Sequence, residues 1–405
     1  MPGRPDPMTL VATFLLGASL VATVVFLLGL AATVRHTARA PAPLPPGPAP
    51  AVSLLKPLKG DEEGLAENLR SFFAQDYPGP VEVVFATAEG DDPALPVARA
   101  VAAEFPHVPV TFVRSDPGFG LNPKVANLAS ALREARHPLV LQSDANVRVR
   151  PDYLGRVVAE LLTEDGALLS SMVVGSGERS VGAALHSLQL GAFTAPGTVF
   201  ALTYFGIVCV IGKSMLFWRR DLAEVGGLER VRDLLAEDYV LGRAFQRAGK
   251  KVLLSTTVVE NVNAEASLQH FLSRHARWLK MRAVVHVPGF AIDLVANPLG
   301  MALLAYLVSG LNPWFLGPVL ALLVLKPLGD NVLVSRTRGA PLAWRHVWLS
   351  PVRDVLLLTL WPYAAVSRSV EWRGRRLRLG WNSRLRPNDG FFARRWARRL
   401  WPARG

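Results

Sequence analysis

The chain has 405 residues, a formal net charge of +13 and a hydrophobic fraction of 50%. This fraction, with a mean hydropathy of +0.26, is high for a purely soluble protein, and the excess of positive charge indicates an anionic partner such as a membrane surface or a nucleic acid. The single cysteine, Cys209, excludes an intramolecular disulfide and a zinc site built from cysteines.

The first apolar segment, residues 8–34, contains no charged residue and exceeds the roughly 20 residues that a membrane-spanning helix needs. The alternative is a cleaved signal peptide, which we disfavour because the apolar run is too long and because Arg4 is the only basic residue before it. Arg35 and Arg39 follow the run, so the positive-inside rule places the next part of the chain in the cytoplasm. We therefore predict a transmembrane anchor over residues 1–39.

Residues 40–50 are rich in proline and alanine, which predicts a stiff extended linker. Beyond the linker, short apolar runs alternate with segments of helical periodicity. This alternation is typical of an α/β fold with a doubly wound, mostly parallel sheet. The predicted strands are residues 51–55, 81–86, 108–113 and 139–143, and the predicted helices are residues 62–74, 94–104 and 125–135.

The fourth predicted strand ends in polar residues, Asp144 and Asn146. In open α/β sheets, ligands bind just beyond the carboxyl ends of the strands. Oxygen ligands at such a position suit Mg²⁺ or Mn²⁺ holding a substrate diphosphate. The alternative is that Asp144 only caps the next turn. Asp144 and Asn146 are therefore our candidate metal ligands.

Further charged residues follow other predicted strands. Asp91 and Asp92 come after the second strand, where an acidic residue often holds a base or a ribose. The glycine-containing loop 118–124 is not a P-loop, because the Gly-Lys-Ser/Thr ending is missing, but it delivers Lys124 to the site. For each lysine the alternative is a solvated surface charge. The lysines that could meet phosphates are Lys56, Lys59 and Lys124.

A later helix is predicted to begin near Glu237. Asp238 in its first turn is a candidate general base, and the alternative is simple capping of the helix. Arg274 and Arg277 lie three residues apart, so one helix face would present both to a diphosphate. Trp278 would form the floor of a sugar or nucleotide pocket. The alternative for this segment is a basic helix that lies on the membrane.

The order and spacing of these motifs resemble those of the ceramide glucosyltransferase family, glycosyltransferase family 21. That family is similar to the wider group of inverting, membrane-bound GT-A glycosyltransferases. The resemblance covers a catalytic domain over residues 51–288 and, more loosely, the C-terminal membrane part. The matching segments are residues 52–60, 91–94, 122–124, 143–144, 236–239 and 274–278.

The resemblance implies a GT-A fold and a role for each motif. One departure from the wider pattern is that the common Asp-x-Asp motif reads Asp144-Ala145-Asn146 here, which weakens metal binding. The ceramide branch itself often lacks the second aspartate. The implied roles are nucleotide binding by Asp91 or Asp92, metal and diphosphate binding by Asp144, base catalysis by Asp238, and diphosphate binding with closure of the site by Arg274, Arg277 and Trp278.

The activity that the resemblance implies is transfer of a hexose, with inversion, from UDP-glucose to ceramide, assisted by Mg²⁺ or Mn²⁺. One alternative is transfer of N-acetylglucosamine or another sugar to a hopanoid or other lipid. A processive polysaccharide synthase commonly needs more membrane spans. An alternative of another class is a non-catalytic, lipid-binding membrane scaffold. The expected partners are a UDP-sugar, a membrane lipid and an anionic membrane surface, with no nucleic acid because the chain is anchored; the oligomeric state stays open.

Apolar segments also occur in the second half of the chain. For residues 192–217 we predict a membrane-facing helix and strand that shape the acceptor pocket, in preference to a true span. Transmembrane helices are predicted over residues 289–335, which would make the protein multi-pass with its catalytic domain on the cytoplasmic side. Residues 336–405 are predicted as an interfacial helix and a basic cytoplasmic tail, whose arginines and tryptophans suit an anionic membrane interface.

Overall fold

A computed structural model describes residues 6–372 and 375–387. Its N-terminal helix, α1 (Pro7–Thr37), covers most of the predicted anchor. Within the described ranges, two helices are long and apolar enough to cross a membrane, namely α1 and the segment Pro313–Arg338. Large apolar side chains on α1, such as Phe14 and Leu20, are exposed, as expected for a helix that faces lipid.

The predicted catalytic domain is built on one eight-stranded sheet. The strands, in chain order, are β1 (Val52–Pro57), β2 (Val81–Thr87), β3 (Val110–Arg114), β4 (Leu139–Ser143), β5 (Val147–Arg148), β6 (Leu168–Ser176), β7 (Ser214–Trp218) and β8 (Val252–Val262). They lie side by side in the order β3-β2-β1-β4-β7-β6-β8-β5. The first four strands are parallel, as predicted, whereas β7 runs antiparallel to both of its neighbours and β5 runs antiparallel to β8. The sheet is therefore mixed.

Helices cover both faces of this sheet, as a doubly wound fold requires. Alternate strand residues point to opposite faces, so Leu54 of β1 packs in one hydrophobic cluster and Leu55 in another. Helix α4 (Pro123–Glu134) begins two residues earlier than predicted because Asn122 caps it and Pro123 occupies its first turn. The helices are α2 (Leu65–Phe73), α3 (Ala94–Glu104), α4 (Pro123–Glu134), α5 (Tyr153–Thr163), α6 (Val181–Gln189), α7 (Ala195–Phe205), α8 (Arg219–Glu224), α9 (Glu237–Arg247) and α10 (Leu268–Val285).

The next helices form the membrane-side part of the molecule. They are α11 (Val287–Val295), α12 (Pro298–Val308), α13 (Leu316–Arg338), α14 (Trp344–Val347) and α15 (Ser350–Val366). The first part of the predicted transmembrane region 289–335 is not one straight helix, because α11 and α12 are bent by 65° where Asn297 caps α12 and Pro298 begins it. α1 packs against α12 and α7, and the Ser19 hydroxyl donates to the Pro298 carbonyl at 2.8 Å.

Four buried charges join α13 to α15, and we call Lys326, Asp330, Arg353 and Asp354 the membrane-side cluster. Lys326 Nζ lies 2.7 Å from Asp330 Oδ1, and Arg353 Nη2 lies 2.9 Å from Asp330 Oδ2. Arg353 Nη2 also donates to Asp354 Oδ1 at 2.6 Å. In the sequence these residues only interrupt apolar runs, but in the structure they neutralise one another.

The chain then returns to the domain of the eight-stranded sheet as a small sheet of β9 (Ser369–Trp372), β10 (Arg375–Leu379) and β11 (Leu385–Pro387). This differs from the predicted basic tail, because apolar side chains of these strands pack against Leu235 and Val284. The Leu235 amide donates to the Ser383 carbonyl at 3.0 Å, and the Ala236 amide donates to the Ser383 hydroxyl at 3.1 Å. The predicted tail tryptophans Trp396 and Trp401 lie outside the described residues.

Candidate functional site

The predicted site residues gather at the edge of the sheet where β1 and β4 end. Because β7 is antiparallel to β4, the residues just before β7 reach the same edge. The Asp144 amide donates to the Lys213 carbonyl at 3.2 Å, which sets the two side chains next to each other. We call Asp144, Lys124, Lys213 and Glu237 the sheet-edge cluster.

Asp144 is held between two ammonium groups. Its Oδ1 lies 2.9 Å from Lys124 Nζ, and its Oδ2 lies 3.0 Å from Lys213 Nζ. Burial alone would raise the pKa of Asp144, but the two lysines outweigh it and lower that pKa below its usual value. The side chain stays ionised and is 22% exposed, so a ligand can reach it.

Lys124 connects Asp144 to the start of α9. Its Nζ lies 3.0 Å from Glu237 Oε1 and donates to the Gly212 carbonyl at 3.0 Å. The side chain reaches this position because the Asn122 side chain accepts from the first amides of α4 and fixes the helix start. Burial opposes the charge of Lys124, but Asp144 and Glu237 outweigh it and raise the pKa of Lys124. The glycine-containing loop thus delivers Lys124 as predicted.

Lys213 occupies the space that a metal ion was predicted to fill. Besides Asp144, its Nζ donates to Asn146 Oδ1 at 2.6 Å, so the predicted ligand oxygens already accept from lysines. In the part of the chain that the structure describes, no group of three or more His, Cys, Asp or Glu residues is placed to hold a metal ion. The oxygen chemistry suits a divalent cation, but this arrangement does not fit one unless Lys213 moves away. Burial lowers the pKa of Lys213 to about 8.

Lys56 contacts the turn after β4 that carries Asp144 of the sheet-edge cluster. It is 1% exposed, and its Nζ donates to the Ser143 hydroxyl and to the Asp144 carbonyl, each at 3.2 Å. The ammonium also lies 3.1 Å from the centroid of the Phe72 ring. Burial lowers the pKa of Lys56 well below its usual value. Its bonds brace the turn after β4, so Lys56 acts on the position of Asp144.

Asp238 lies in the first turn of α9, half-buried, with both oxygens oriented by backbone amides. Its Oδ2 accepts from the Gly212 amide at 2.6 Å, and its Oδ1 accepts from the Tyr239 amide at 2.7 Å. A Cβ at Gly212 would lie 3.0 Å from Asp238 and 3.1 Å from Lys124 Nζ, so only glycine permits this close approach without displacing them. The same turn therefore positions the candidate base and the lysine beside it.

The arginine motif approaches from α10. Arg274 is half-buried, and its buried Nε has no hydrogen-bond partner in the part of the chain that the structure describes. Its Nη2 reaches Asn261 Oδ1 only at 3.5 Å, and its guanidinium carbon lies 5.3 Å from the centroid of the Trp278 ring. Burial, followed by the charge of Arg277, lowers the pKa of Arg274 to about 10. A buried guanidinium with an unmet donor is typical of a site that binds an anion.

Comparison with known proteins decides the family, because residues 14–385 match the model for glycosyl transferase family 21. The chain belongs to glycosyltransferase family 21. Among curated family relatives, ceramide glucosyltransferase 1 of Caenorhabditis elegans is 27% identical over 350 residues, which covers 83% of this chain and 73% of the relative. The ceramide glucosyltransferase of Komagataella phaffii is 24% identical over 439 residues, which covers 85% of each chain. The predicted family is thereby confirmed.

A solved structure supports the fold of this family 21 protein. The mannosyltransferase of Pyrobaculum calidifontis, in complex with GDP-Man and Mn²⁺, superposes with a TM-score of 0.50 at 18% identity. The match covers 89% of this chain and 99% of that structure. The predicted GT-A glycosyltransferase fold is confirmed by this likeness, and the nucleotide and the metal ion belong to the mannosyltransferase.

Asp92 is placed differently from its neighbour in this family 21 chain. It is 1% exposed, whereas Asp91 lies at the surface. Asp92 Oδ1 accepts from the Gly60 amide at 2.9 Å and from the Ala94 amide at 3.0 Å, which ties the loop after β1 to α3. Its Oδ2 is buried and has no hydrogen-bond partner within residues 6–372 and 375–387, and Lys59 Nζ lies 3.9 Å away. Asp92 therefore has an oxygen free for a ligand.

Sequence reasoning passed over a histidine pair behind the arginine motif. His186 Nδ1 lies 3.1 Å from His275 Nε2, and the His275 ring meets Trp278 edge-on with centroids 5.2 Å apart. Burial, followed by the charge of Arg274, lowers the pKa of both histidines well below its usual value. The neutral pair supports Trp278. Only the position of His275 next to Arg274 in the sequence could have pointed to it.

Proposed function

We propose that this family 21 glycosyltransferase moves glucose from UDP-glucose to the hydroxyl of ceramide, with inversion at the anomeric carbon, to give glucosylceramide. The observation that carries the proposal is the unmet Nε of Arg274, which lies buried beside a motif that also contains Arg277 and Trp278. An anionic diphosphate supplies the acceptor oxygens that this guanidinium lacks. The names of the curated relatives support the choice of sugar and lipid.

The donor is held by its diphosphate. Arg274 and Arg277 bind it from α10, and the ammonium groups of Lys124 and Lys213 face it from the sheet edge. Asp92, with its free Oδ2, is the residue that we propose for the nucleotide, in preference to Asp91. These cations stabilise the negative charge that develops on the leaving nucleoside diphosphate.

Asp238 serves as the general base. Its carboxylate takes the proton from the lipid hydroxyl while the hydroxyl oxygen attacks the anomeric carbon. The bond between that carbon and the diphosphate oxygen breaks, and the electron pair leaves with the nucleoside diphosphate. Because attack and departure occur on opposite faces of the carbon, the configuration inverts. The amides of Gly212 and Tyr239 keep the carboxylate aimed during this step.

Mg²⁺ or Mn²⁺ is part of the proposal as a donor-binding cation. Asp144 and Asn146 would hold it, once Lys213 has moved off their oxygens. The cation would supply further positive charge for the diphosphate. The displacement described above is assigned to the lysines and arginines that the site contains.

We further propose that the enzyme is a multi-pass membrane protein with its catalytic domain on the cytoplasmic side. The length and composition of α1 and of Pro313–Arg338 support this topology, as do the arginines that follow the first apolar run. The net charge of +13 favours contact with anionic lipid. The acceptor would then reach the site directly from the adjacent leaflet.

Transfer from radiolabelled UDP-glucose, UDP-galactose and UDP-N-acetylglucosamine to ceramide tests this function on the purified full chain in detergent. Labelled glucosylceramide from UDP-glucose alone is the expected result. Product only from UDP-N-acetylglucosamine would contradict the donor assignment. Absence of both transfer and donor hydrolysis would contradict the activity itself and favour a binding role.

A further inference from the structure

A cleft lies between α10 and the membrane-side helices, and it begins next to the donor site. Trp278 lines it and also lies 5.3 Å from the Arg274 guanidinium, so one side chain borders both spaces. On the other side the cleft is lined by residues of α13 and α15. The cleft is open at its mouth, and its cavity volume is about 50 Å³.

Two buried oxygens on the lining of this cleft lack hydrogen-bond donors. Gln189 is 6% exposed and Asp354 is 4% exposed, yet among the described residues Gln189 Oε1 and Asp354 Oδ2 have no hydrogen-bond partner. Lys326 Nζ lies 3.7 Å from Asp354 Oδ2, which is beyond hydrogen-bond distance. Because buried acceptors are normally satisfied, these two oxygens indicate a ligand that brings N–H or O–H groups.

The charges around the cleft exclude a strongly charged head group. Arg282 is paired with Asp293 on the lining. Lys326 and Arg353 are paired with Asp330 and Asp354 in the membrane-side cluster. An anionic head group would have to break one of these pairs, and so would a cationic one. A neutral head group fits without that cost.

The rest of the lining is mainly apolar, and Thr194, His275 and Asn297 are its further polar residues. The large apolar side chains are Phe193, Leu279, Leu294, Leu357, Leu358 and Trp361. Such walls suit an alkyl chain. We propose that this cleft binds the acceptor lipid, a neutral lipid with an alkyl chain and at least two hydrogen-bond donors, and that Gln189 and Asp354 select it. This assignment rests on the proposed transfer to a lipid, and it adds where the lipid lies and which residues recognise it.

Binding of two fluorescent lipids to the full chain in detergent tests the assignment. The probes are a short-chain ceramide, with an amide and two hydroxyls, and a diacylglycerol that carries the same fluorophore, with one hydroxyl.

Two variants change the cleft: Gln189→Leu removes one hydrogen-bond acceptor, and Leu358→Trp fills the cleft. Val352→Trp is the matched control, because Val352 is exposed on the opposite side of α15. UDP binding to each variant, measured in parallel, shows that it is folded.

We expect Gln189→Leu to weaken ceramide binding by about tenfold and to leave diacylglycerol binding nearly unchanged, because only the ceramide uses the lost acceptor. Leu358→Trp should weaken the binding of both lipids by at least about tenfold, and Val352→Trp should bind both as the wild type does. Wild-type affinity in both Gln189→Leu and Leu358→Trp overturns the proposal. A lipid that binds normally but receives no sugar from any donor would contradict the proposed function and leave the cleft assignment standing.

Discussion

The sheet-edge cluster and the membrane-side cluster are built from the same kinds of residue, yet they differ in access. In the sheet-edge cluster, the side chains of Asp144, Lys124 and Lys213 are 22%, 17% and 14% exposed. In the membrane-side cluster, no side chain is more than 5% exposed. A partly open cluster can exchange one of its partners for a ligand, whereas the ion pairs of the closed cluster hold α13 and α15 together and leave only Asp354 Oδ2 for a ligand. The difference teaches that access, and not charge alone, decides which charged side chains can exchange a partner for a ligand.

The largest effect is expected from Asp238→Asn, which changes the residue next to Glu237 of the sheet-edge cluster. The turnover number should fall by about 10³-fold, because the amide cannot take the hydroxyl proton, while the affinity for UDP stays within about twofold. Steady-state kinetics and calorimetry with UDP measure the two quantities. Asp221→Asn, which alters a buried carboxylate paired with Lys250, should leave the turnover number unchanged. Near-normal turnover of Asp238→Asn would remove Asp238 from the role of base.

Asp330→Asn tests the closed cluster. We expect the free energy of unfolding to fall by about 3 kcal/mol, since Lys326 and Arg353 would lose the charge that neutralises them in a buried setting. Thermal unfolding in detergent gives this quantity. UDP affinity of the folded fraction should equal that of the wild type. A variant of normal stability with weak UDP binding would reverse the contrast between the two clusters.

Lys213→Met tests whether the open cluster serves a ligand. We expect UDP affinity in the presence of a chelator to fall by about tenfold, with little change in unfolding temperature, because one diphosphate-binding cation is lost. Added Mn²⁺ should restore part of this affinity, because the oxygens of Asp144 and Asn146 are then free. Calorimetry with and without Mn²⁺ measures both effects. Unchanged UDP affinity in the chelator would show that Lys213 is only a partner of Asp144.

Asp92→Asn and Asp91→Asn form a matched pair of variants, which extends the comparison to Asp92, a buried carboxylate outside both clusters. Asp92 is buried with one unmet oxygen, whereas Asp91 is exposed. We expect Asp92→Asn to lower UDP affinity by about fivefold and Asp91→Asn to leave it unchanged. Titration with UDP decides between them, and an effect of Asp91→Asn alone would assign the nucleotide to the surface residue.

The smallest effect is expected from Ser383→Ala. The Ser383 hydroxyl accepts from the Ala236 amide two residues before Asp238, so its loss should loosen the start of α9. We expect the turnover number to fall by about twofold to threefold and stability to fall by about 1 kcal/mol. Ser273→Ala, which removes an exposed hydroxyl from α10, is the control for both measurements. Equal behaviour of the two variants would mean that the C-terminal sheet does not brace the base.

Local patterns in the sequence were enough for the parallel half of the fold and for several site residues. Apolar runs that end in a charge predicted β4 with Asp144, and a polar helix start predicted Asp238 at the beginning of α9. Both follow from rules that act over a few residues. The role of Lys213 could not be read in this way, because its partner Asn146 is 67 residues away in the chain.

A strand was predicted within residues 192–217, but the central position and antiparallel direction of β7 could not be read from the sequence. The strand follows α7 in one apolar stretch, and hydropathy says nothing about its pairing with β4 and β6. The strands β9 to β11 lie in an arginine-rich region, where charge density masked the apolar positions Val370, Leu377 and Leu379. These side chains become a core only when Leu235 and Val284 meet them.

The return of the chain to the catalytic domain also governs how the enzyme can be produced. A soluble form cut after α10 would lose β9 to β11, because these strands follow the membrane-side helices in the sequence. Leu235 and Val284 would then face solvent, and the amides of Leu235 and Ala236 would lose their acceptors. A truncated protein of this kind would carry all of the charged donor-site residues and still lack the brace beside its base. Splicing residues 369–387 back through a short linker is therefore the design to try for a water-soluble enzyme.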